Sequence, residues 1–233
     1  MNLNNAKILI TGGSTGIGYE TAKLLISKGA KVAICSRNES EIQKAASTIG
    51  ATGIQADLSD ENSVIALFEK ATTALGGLNV LVNNAGIGLL EPLTTTSVAD
   101  FTRIWETNVK GAFLAGREAA RLFIAQNDGN IINIASTAGT KGFANGTAYC
   151  SSKFALSAMT ECWRMELRKN NIRVMQVNPS EVVTPFGNKL GYEATNTESK
   201  LKPSEIAHTI AAMLEMDNVG FITDATVWAT NPM

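Results

Sequence analysis

The stretch KILITGGSTGIGYETAKLLISKG (7–29) joins a short β-branched run, a glycine-rich turn and a run of helically spaced apolar residues. KILIT (7–11) has the composition of a strand. YETAKLLISKG (19–29) has the periodicity of a helix and stops at Gly29. Between them, Gly12, Gly16 and Gly18 let the backbone turn tightly and approach a phosphate without interference from a Cβ. The helix start then offers free N–H groups and the positive end of its dipole. The spacing is TGxxxGxG, a variant of the GxGxxG dinucleotide turn. With the intervening Ser14, Thr15 and Ile17, it is expected to cradle a pyrophosphate.

The same alternation continues along the chain. KVAICS (31–36) reads as a strand and ESEIQKAASTIG (39–50) as a helix; TGIQAD (52–57) precedes the helical ENSVIALFEKATTALG (61–76). LNVLVNNAG (78–86) gives a fourth strand with a turn, followed by helical segments at 97–108 and 109–126. NIINIAS (130–136) is the next strand, 147–169 a long helix and IRVMQVNP (172–179) a sixth strand. A helix at 203–215 and FITDATVWA (221–229) complete the pattern. Gly50 and Gly76 stand where helix C-caps are expected. Continuous apolar strands alternating with helices predict one α/β domain over 1–233, a doubly wound, Rossmann-type parallel sheet of about seven strands. Segment 182–202 mixes Gly, Pro, Asn and Thr without period, and its length marks it as a substrate loop.

Composition narrows the function. The 233 residues are 45% hydrophobic and 18% charged, with a net charge of −1 and no long basic tract. Neither nucleic acid nor a membrane is an expected partner. Cys35, Cys150 and Cys162 are odd in number and lack CxxC spacing, so neither a disulfide framework nor a metal site is expected. The N-terminus lacks the basic and apolar regions of a signal peptide, and no apolar run is long enough to span a bilayer. A cytoplasmic protein is expected. The single histidine, His208, lies on a helix remote in sequence from the other polar clusters, which disfavours Ser-His-Asp chemistry.

Ligands of an open α/β sheet sit at the carboxyl ends of its strands. The second strand ends in Ser36 and Arg37, where many NAD-binding domains carry an acidic residue. A guanidinium pairs with a ribose 2′-phosphate that a carboxylate would repel, so NADP(H) is the expected cofactor. At the third strand end Asp57, beside Leu58, suits either an adenine amino group or a helix N-cap. At the fourth, Asn84, Ala85 and Gly86 offer a small-residue surface for a flat ribose or nicotinamide. Tyr149 and Lys153, in AYCSSKFALSA (148–158), share one helix face at i and i+4. Cys150 points about 100° around that helix and reads as packing.

These motifs resemble those of the short-chain dehydrogenase/reductase family over nearly the whole chain. They are TGxxxGxG at Thr11–Gly18, NNAG at Asn83–Gly86, Asn108 in ETNVKG, Ser136 in INIAS, and YxxxK at Tyr149–Lys153. Within the family the chain looks most like the 3-oxoacyl-[acyl-carrier-protein] reductase group, and less specifically like sugar and alcohol dehydrogenases. The resemblance implies that Tyr149 is the general acid in carbonyl reduction and the base in alcohol oxidation. It implies that Lys153 lowers the phenol pKa and holds the nicotinamide ribose. Ser136 would bind the substrate oxygen, and Asn108 would anchor a water leading from Lys153. Pro179, Val182 and Thr184 would position the nicotinamide carboxamide.

Elementary chemistry agrees with these roles. A free phenol titrates near 10, and a neighbouring ammonium favours its ionised form. Negative charge developing on a carbonyl oxygen calls for hydroxyl donors. The resemblance further implies a small-molecule or acyl-carrier carbonyl substrate and a homo-oligomer, commonly a tetramer or dimer, packed through the helix bearing Tyr149 and the helix before strand five. Phe113, Leu114, Phe154, Leu156 and Trp163 are candidates for that interface or for the monomer core. Two departures stand out: Ser180 occupies the glycine position after Pro179, and the C-terminus lacks a glycine-rich ending. A non-catalytic NADP(H) sensor and a self-associating scaffold are the rival readings.

Overall fold

In Lys7–Thr11 (β1), Ile8 and Ile10 point to one face and Leu9 to the other, and all three are fully buried. A strand covered on both sides needs helices on both sides. The computed structural model describes residues 1–186 and 197–231. After β1 come α1 (Gly16–Ser27), β2 (Lys31–Ser36), α2 (Glu39–Ile49), β3 (Thr52–Gln55), α3 (Glu61–Leu75) and β4 (Val80–Asn83). The second half contains α4 (Val98–Trp105), α5 (Ala112–Gln126), β5 (Gly129–Ile134), α6 (Thr147–Leu167), β6 (Ile172–Pro179), α7 (Pro203–Glu215) and β7 (Asp224–Val227). Among the described residues no helix is long and apolar enough to cross a membrane.

The seven strands are all parallel, in the order β3-β2-β1-β4-β5-β6-β7. This is the expected doubly wound, Rossmann-type sheet. Ala22 and Leu25 of α1, Ile42 of α2 and Ile206 and Ile210 of α7 cover one face. Leu67 of α3, Phe123 of α5 and Leu167 of α6 cover the other. Strand order reverses between β1 and β4, where an α/β sheet opens its crevice.

That crevice is stitched by one buried side chain. Thr11 Oγ1 accepts from the backbone N–H groups of Asn84 and Ala85, both at 3.0 Å. Asn84 Nδ2 donates in return to the carbonyls of Thr11 (2.9 Å) and Gly12 (3.0 Å). Thr11→Val keeps the shape but leaves both N–H groups without this acceptor. It is expected to cost about 2 kcal/mol, read as a lower urea midpoint with an unchanged slope.

Three boundaries differ from the sequence reading. The strand predicted to reach Asp57 ends at Gln55, because Asp57 turns back onto Ser59. The two predicted helices over 97–126 are joined by a π-helical turn, Glu106–Gly111, with no break between them. The last strand is only Asp224–Val227, limited to the stretch that pairs with Gln176–Pro179. Of the interface candidates, Leu114 and Leu156 are buried in the core and Trp163 packs against it, whereas Phe113 and Phe154 are exposed.

Candidate active site

The turn after β1 leaves the N-terminus of α1 open. Gly12 and Gly16 have φ of +66° and +60°, the left-handed region that a Cβ disfavours. Thr15, at the N-cap, makes no side-chain capping bond, and the first turn of α1 carries no acidic residue. By contrast Asn38, Asp60 and Ser97 cap α2, α3 and α4. The α1 end opens on a cavity of about 630 Å³, lined there by Gly12, Ser14, Thr15, Gly16 and Ile17. Gly18 is not on that wall. It stands behind the turn, where a Cβ would come within 2.5 Å of the Gly12 carbonyl oxygen.

The cavity continues past the ends of β2 and β3 to Ser36, Arg37, Asp57 and Leu58. The Ser36 hydroxyl donates to the Asn38 carbonyl (3.2 Å). Arg37 is exposed and makes no ion pair among the described residues. Asp57 does not cap a helix; Asp60 does, accepting from the Ser63 N–H at 2.7 Å. Asp57 instead accepts from the N–H and hydroxyl of Ser59. Partial burial works against its ionisation, but these two bonds, with the charges of Arg37 and Lys110, hold its carboxyl below the usual range.

The other end gathers Ser136, Tyr149 and Lys153 on the same cavity wall. Ser136 follows β5 with an extended backbone; its Oγ accepts from the Ala138 N–H (3.1 Å) and donates to the Pro179 carbonyl (3.4 Å). Its hydroxyl also stands near the Tyr149 phenol and favours the ionised form of that phenol. Burial pushes the phenol up to about 12, the Ser136 hydroxyl opposing and Cys150 adding to it. Lys153 is 5% exposed. Its Nζ donates to the Ile134 carbonyl at 2.8 Å and lies 6.0 Å from the Tyr149 ring centre. Burial lowers the ammonium to about 8. The expectation that Lys153 depresses the phenol pKa is therefore corrected for the protein alone. The ammonium is turned to a main-chain carbonyl, and desolvation dominates both groups.

Asn108 lies behind this wall, on the π-helical turn, and is 1% exposed. Its Oδ1 accepts from the Ile87 N–H and its Nδ2 donates to the Ile87 carbonyl, both at 2.8 Å. Nδ2 also donates to Ser152 Oγ at 3.0 Å, and Ser152 donates to the Tyr149 carbonyl at 2.7 Å. The Asn108 amide thus ties the Asn84–Leu89 stretch to α6.

Residues 6–194 match the short chain dehydrogenase family. The chain belongs to that family. It is 37% identical to secoisolariciresinol dehydrogenase from Forsythia intermedia, over 78% of this chain and 67% of that one. It is 30% identical to human L-xylulose reductase, over 97% of this chain and 95% of that one. The crystal structure of 3-ketoacyl-(acyl-carrier-protein) reductase from Brucella melitensis, complexed with NADH, superposes with a TM-score of 0.92 at 28% identity. That match covers 99% of this chain and 100% of the other.

A short-chain dehydrogenase works with a nicotinamide dinucleotide, and the residues present fit one. The open α1 N-terminus suits the pyrophosphate. At Gly86, a Cβ would stand 3.4 Å from Asn108 Oδ1 and 3.6 Å from Lys153 Nζ, which places this wall residue beside both side chains. Pro179, Val182 and Thr184 line the cavity beside Ser180 and Glu181. Thr184 lies across the glycine turn, 3.3 Å from where a Gly16 Cβ would stand. The sequence reading missed Leu89, Phe143 and Phe186, which add apolar wall near Tyr149; the Phe186 and Tyr149 ring centres are 5.9 Å apart. It also missed Ser152, a small polar residue three positions after Tyr149 that was open to notice. The middle of the predicted 182–202 loop, 187–196, lies outside the described residues.

Proposed function

We propose that this dehydrogenase reduces a ketone to a secondary alcohol with NADPH, Tyr149 donating the proton. The observation that carries this reading is that Ser136, Tyr149 and the buried Lys153 ammonium share one wall of the cavity that runs on to the open N-terminus of α1. Bound NADPH would supply the hydride. The chain's own groups do the rest. Ser136 and Tyr149 donate hydrogen bonds to the carbonyl oxygen as negative charge develops on it, and Tyr149, kept protonated by burial, releases its proton to that oxygen. In the reverse direction the phenolate accepts the alcohol proton. Asn108 and Ser152 act through position, holding the Ile87 stretch and the first turn of α6 in register.

The preference for NADPH rests on Arg37, exposed and unpaired among the described residues at the end of β2. The Brucella relative crystallised with NADH supports the alternative of NADH use. Arg37→Asp is expected to weaken NADPH binding by about tenfold or more and leave NADH within about twofold. Calorimetric titration of both dinucleotides into wild type and variant checks this; equal wild-type affinities would refute the preference.

The substrate end, with Leu89, Phe143 and Phe186, favours an uncharged ketone with apolar flanks. Val182–Phe186 supply part of that wall, which supports assigning 182–202 to substrate selection. A non-catalytic sensor would have no use for a proton donor and a buried cation on one helix turn. An apolar groove of Phe101, Trp105, Val109, Phe113 and Met159, together with Phe154 exposed on α6, supports a homo-oligomer through α5 and α6. Sedimentation at micromolar concentration measures it. Three free cysteines, two of them buried, support a cytoplasmic location.

A further inference from the structure

The chain departs from its family's usual pattern just after β6, where Ser180 and Glu181 follow Pro179. Glu181 is 43% exposed and on the cavity wall, and its Oε1 meets Lys200 Nζ at 2.6 Å. The Lys200 side chain is only 4% exposed. A cation so buried is held in place by its counter-charge, since an uncompensated buried charge is costly. The neighbouring backbone makes the same connection. Val182 forms a parallel bridge with Leu201, and the Val183 N–H donates to the Leu201 carbonyl at 2.9 Å. Leu201 is buried in the core beneath α7, and the helix begins two residues later with Glu205 accepting from the Lys202 N–H at 2.7 Å.

This clasp holds a segment that touches both ends of the chemistry. On one side Pro179 accepts from Ser136, and Ser180 donates to the Val227 carbonyl at 2.9 Å. On the other, Thr184 packs over Gly16. A rigid segment between those points fixes the wall against which the nicotinamide half would lie, and positioning to within a fraction of an ångström governs such sites.

We propose that the Glu181–Lys200 ion pair is a positioning element of the reaction, setting the Pro179–Thr184 wall for the nicotinamide half of the dinucleotide. This rests on the reading of the cavity as a dinucleotide site. Neither residue moves a proton or touches the adenosine end. The pair acts through the backbone it clamps.

The test compares NADPH with its adenosine half, 2′,5′-ADP, by calorimetry (NADH with ADP if wild type prefers NADH). The proteins are wild type, Glu181→Gln, Lys200→Met, the double variant and Lys200→Arg. Each single neutralising variant is expected to weaken NADPH about tenfold while 2′,5′-ADP stays within about twofold. The double variant is expected to match the weaker-binding single, because both substitutions remove one coupled interaction. Lys200→Arg, which keeps the charge, is expected to recover most of the loss. NADPH affinity unchanged in both singles would overturn the proposal. So would an equal weakening of both ligands, the mark of a general structural defect. Failure of wild type to bind any dinucleotide is a different result, and it would sink the cavity assignment itself.

Discussion

Replacing Tyr149 with phenylalanine is expected to lower kcat by about 10²–10⁴-fold, the usual worth of a positioned general acid. Dinucleotide affinity is expected to stay within about twofold, since phenylalanine keeps the ring that packs against Phe186. What the variant loses is the phenol proton at the cavity wall. Ser136 alone still donates one hydrogen bond, so residual turnover above background is expected. Steady-state rates at saturating NADPH and ketone separate the effect from binding, because a transition-state contribution falls on kcat.

Lys153→Met is the second large effect, and its signature is pH dependence. In the folded protein burial lowers the ammonium to about 8. Below that pH Lys153 carries the charge that the proposed site uses as negative charge develops on the substrate oxygen; above it the charge is lost. The wild-type kcat/KM for NADPH, which reports the free enzyme, is expected to fall as pH rises through about 8. The methionine variant is expected to be slow throughout and to lack that limb. Stability moves the other way. The unfolded lysine holds its proton up to its ordinary 10.5, so between about 8 and 10.5 the unfolded chain binds more protons and stability rises with pH. Tyr149, raised from 10.0 to about 12, contributes stability that is complete below 10 and lost as pH climbs toward 12. Thermal unfolding at pH 7 and 9 should show wild type gaining between them from this lysine. Lys153→Met should lack that component of the gain.

The local parts of this structure were legible in the sequence. A strand, a glycine turn and a helix within 23 contiguous residues identify the dinucleotide end, because each element is set by neighbours in the chain. Tyr149 and Lys153 share a helical turn, so their juxtaposition also followed from spacing. Contacts between distant residues were not legible. The Asn108–Ile87 pairing spans 21 residues and the Glu181–Lys200 pair 19, and no periodicity announces either. The choice between Asp57 and Asp60 as the α3 cap depended on which carboxylate reached Ser63 and which turned to Ser59. The direction of the Tyr149 shift escaped for a related reason. Spacing placed an ammonium near the phenol, but the position of Nζ and the depth of burial belong to the folded environment.

The central claim is that Tyr149 delivers the proton in an NADPH-dependent ketone reduction. Single-turnover stopped-flow tests it most directly, mixing an enzyme–NADPH complex with a panel of uncharged ketones and following loss of the reduced-nicotinamide absorbance. Wild type is predicted to bleach NADPH with at least one ketone, and Tyr149→Phe, loaded to the same extent, to bleach it about 10²-fold more slowly or worse. Bleaching by Tyr149→Phe at the wild-type rate would contradict the account.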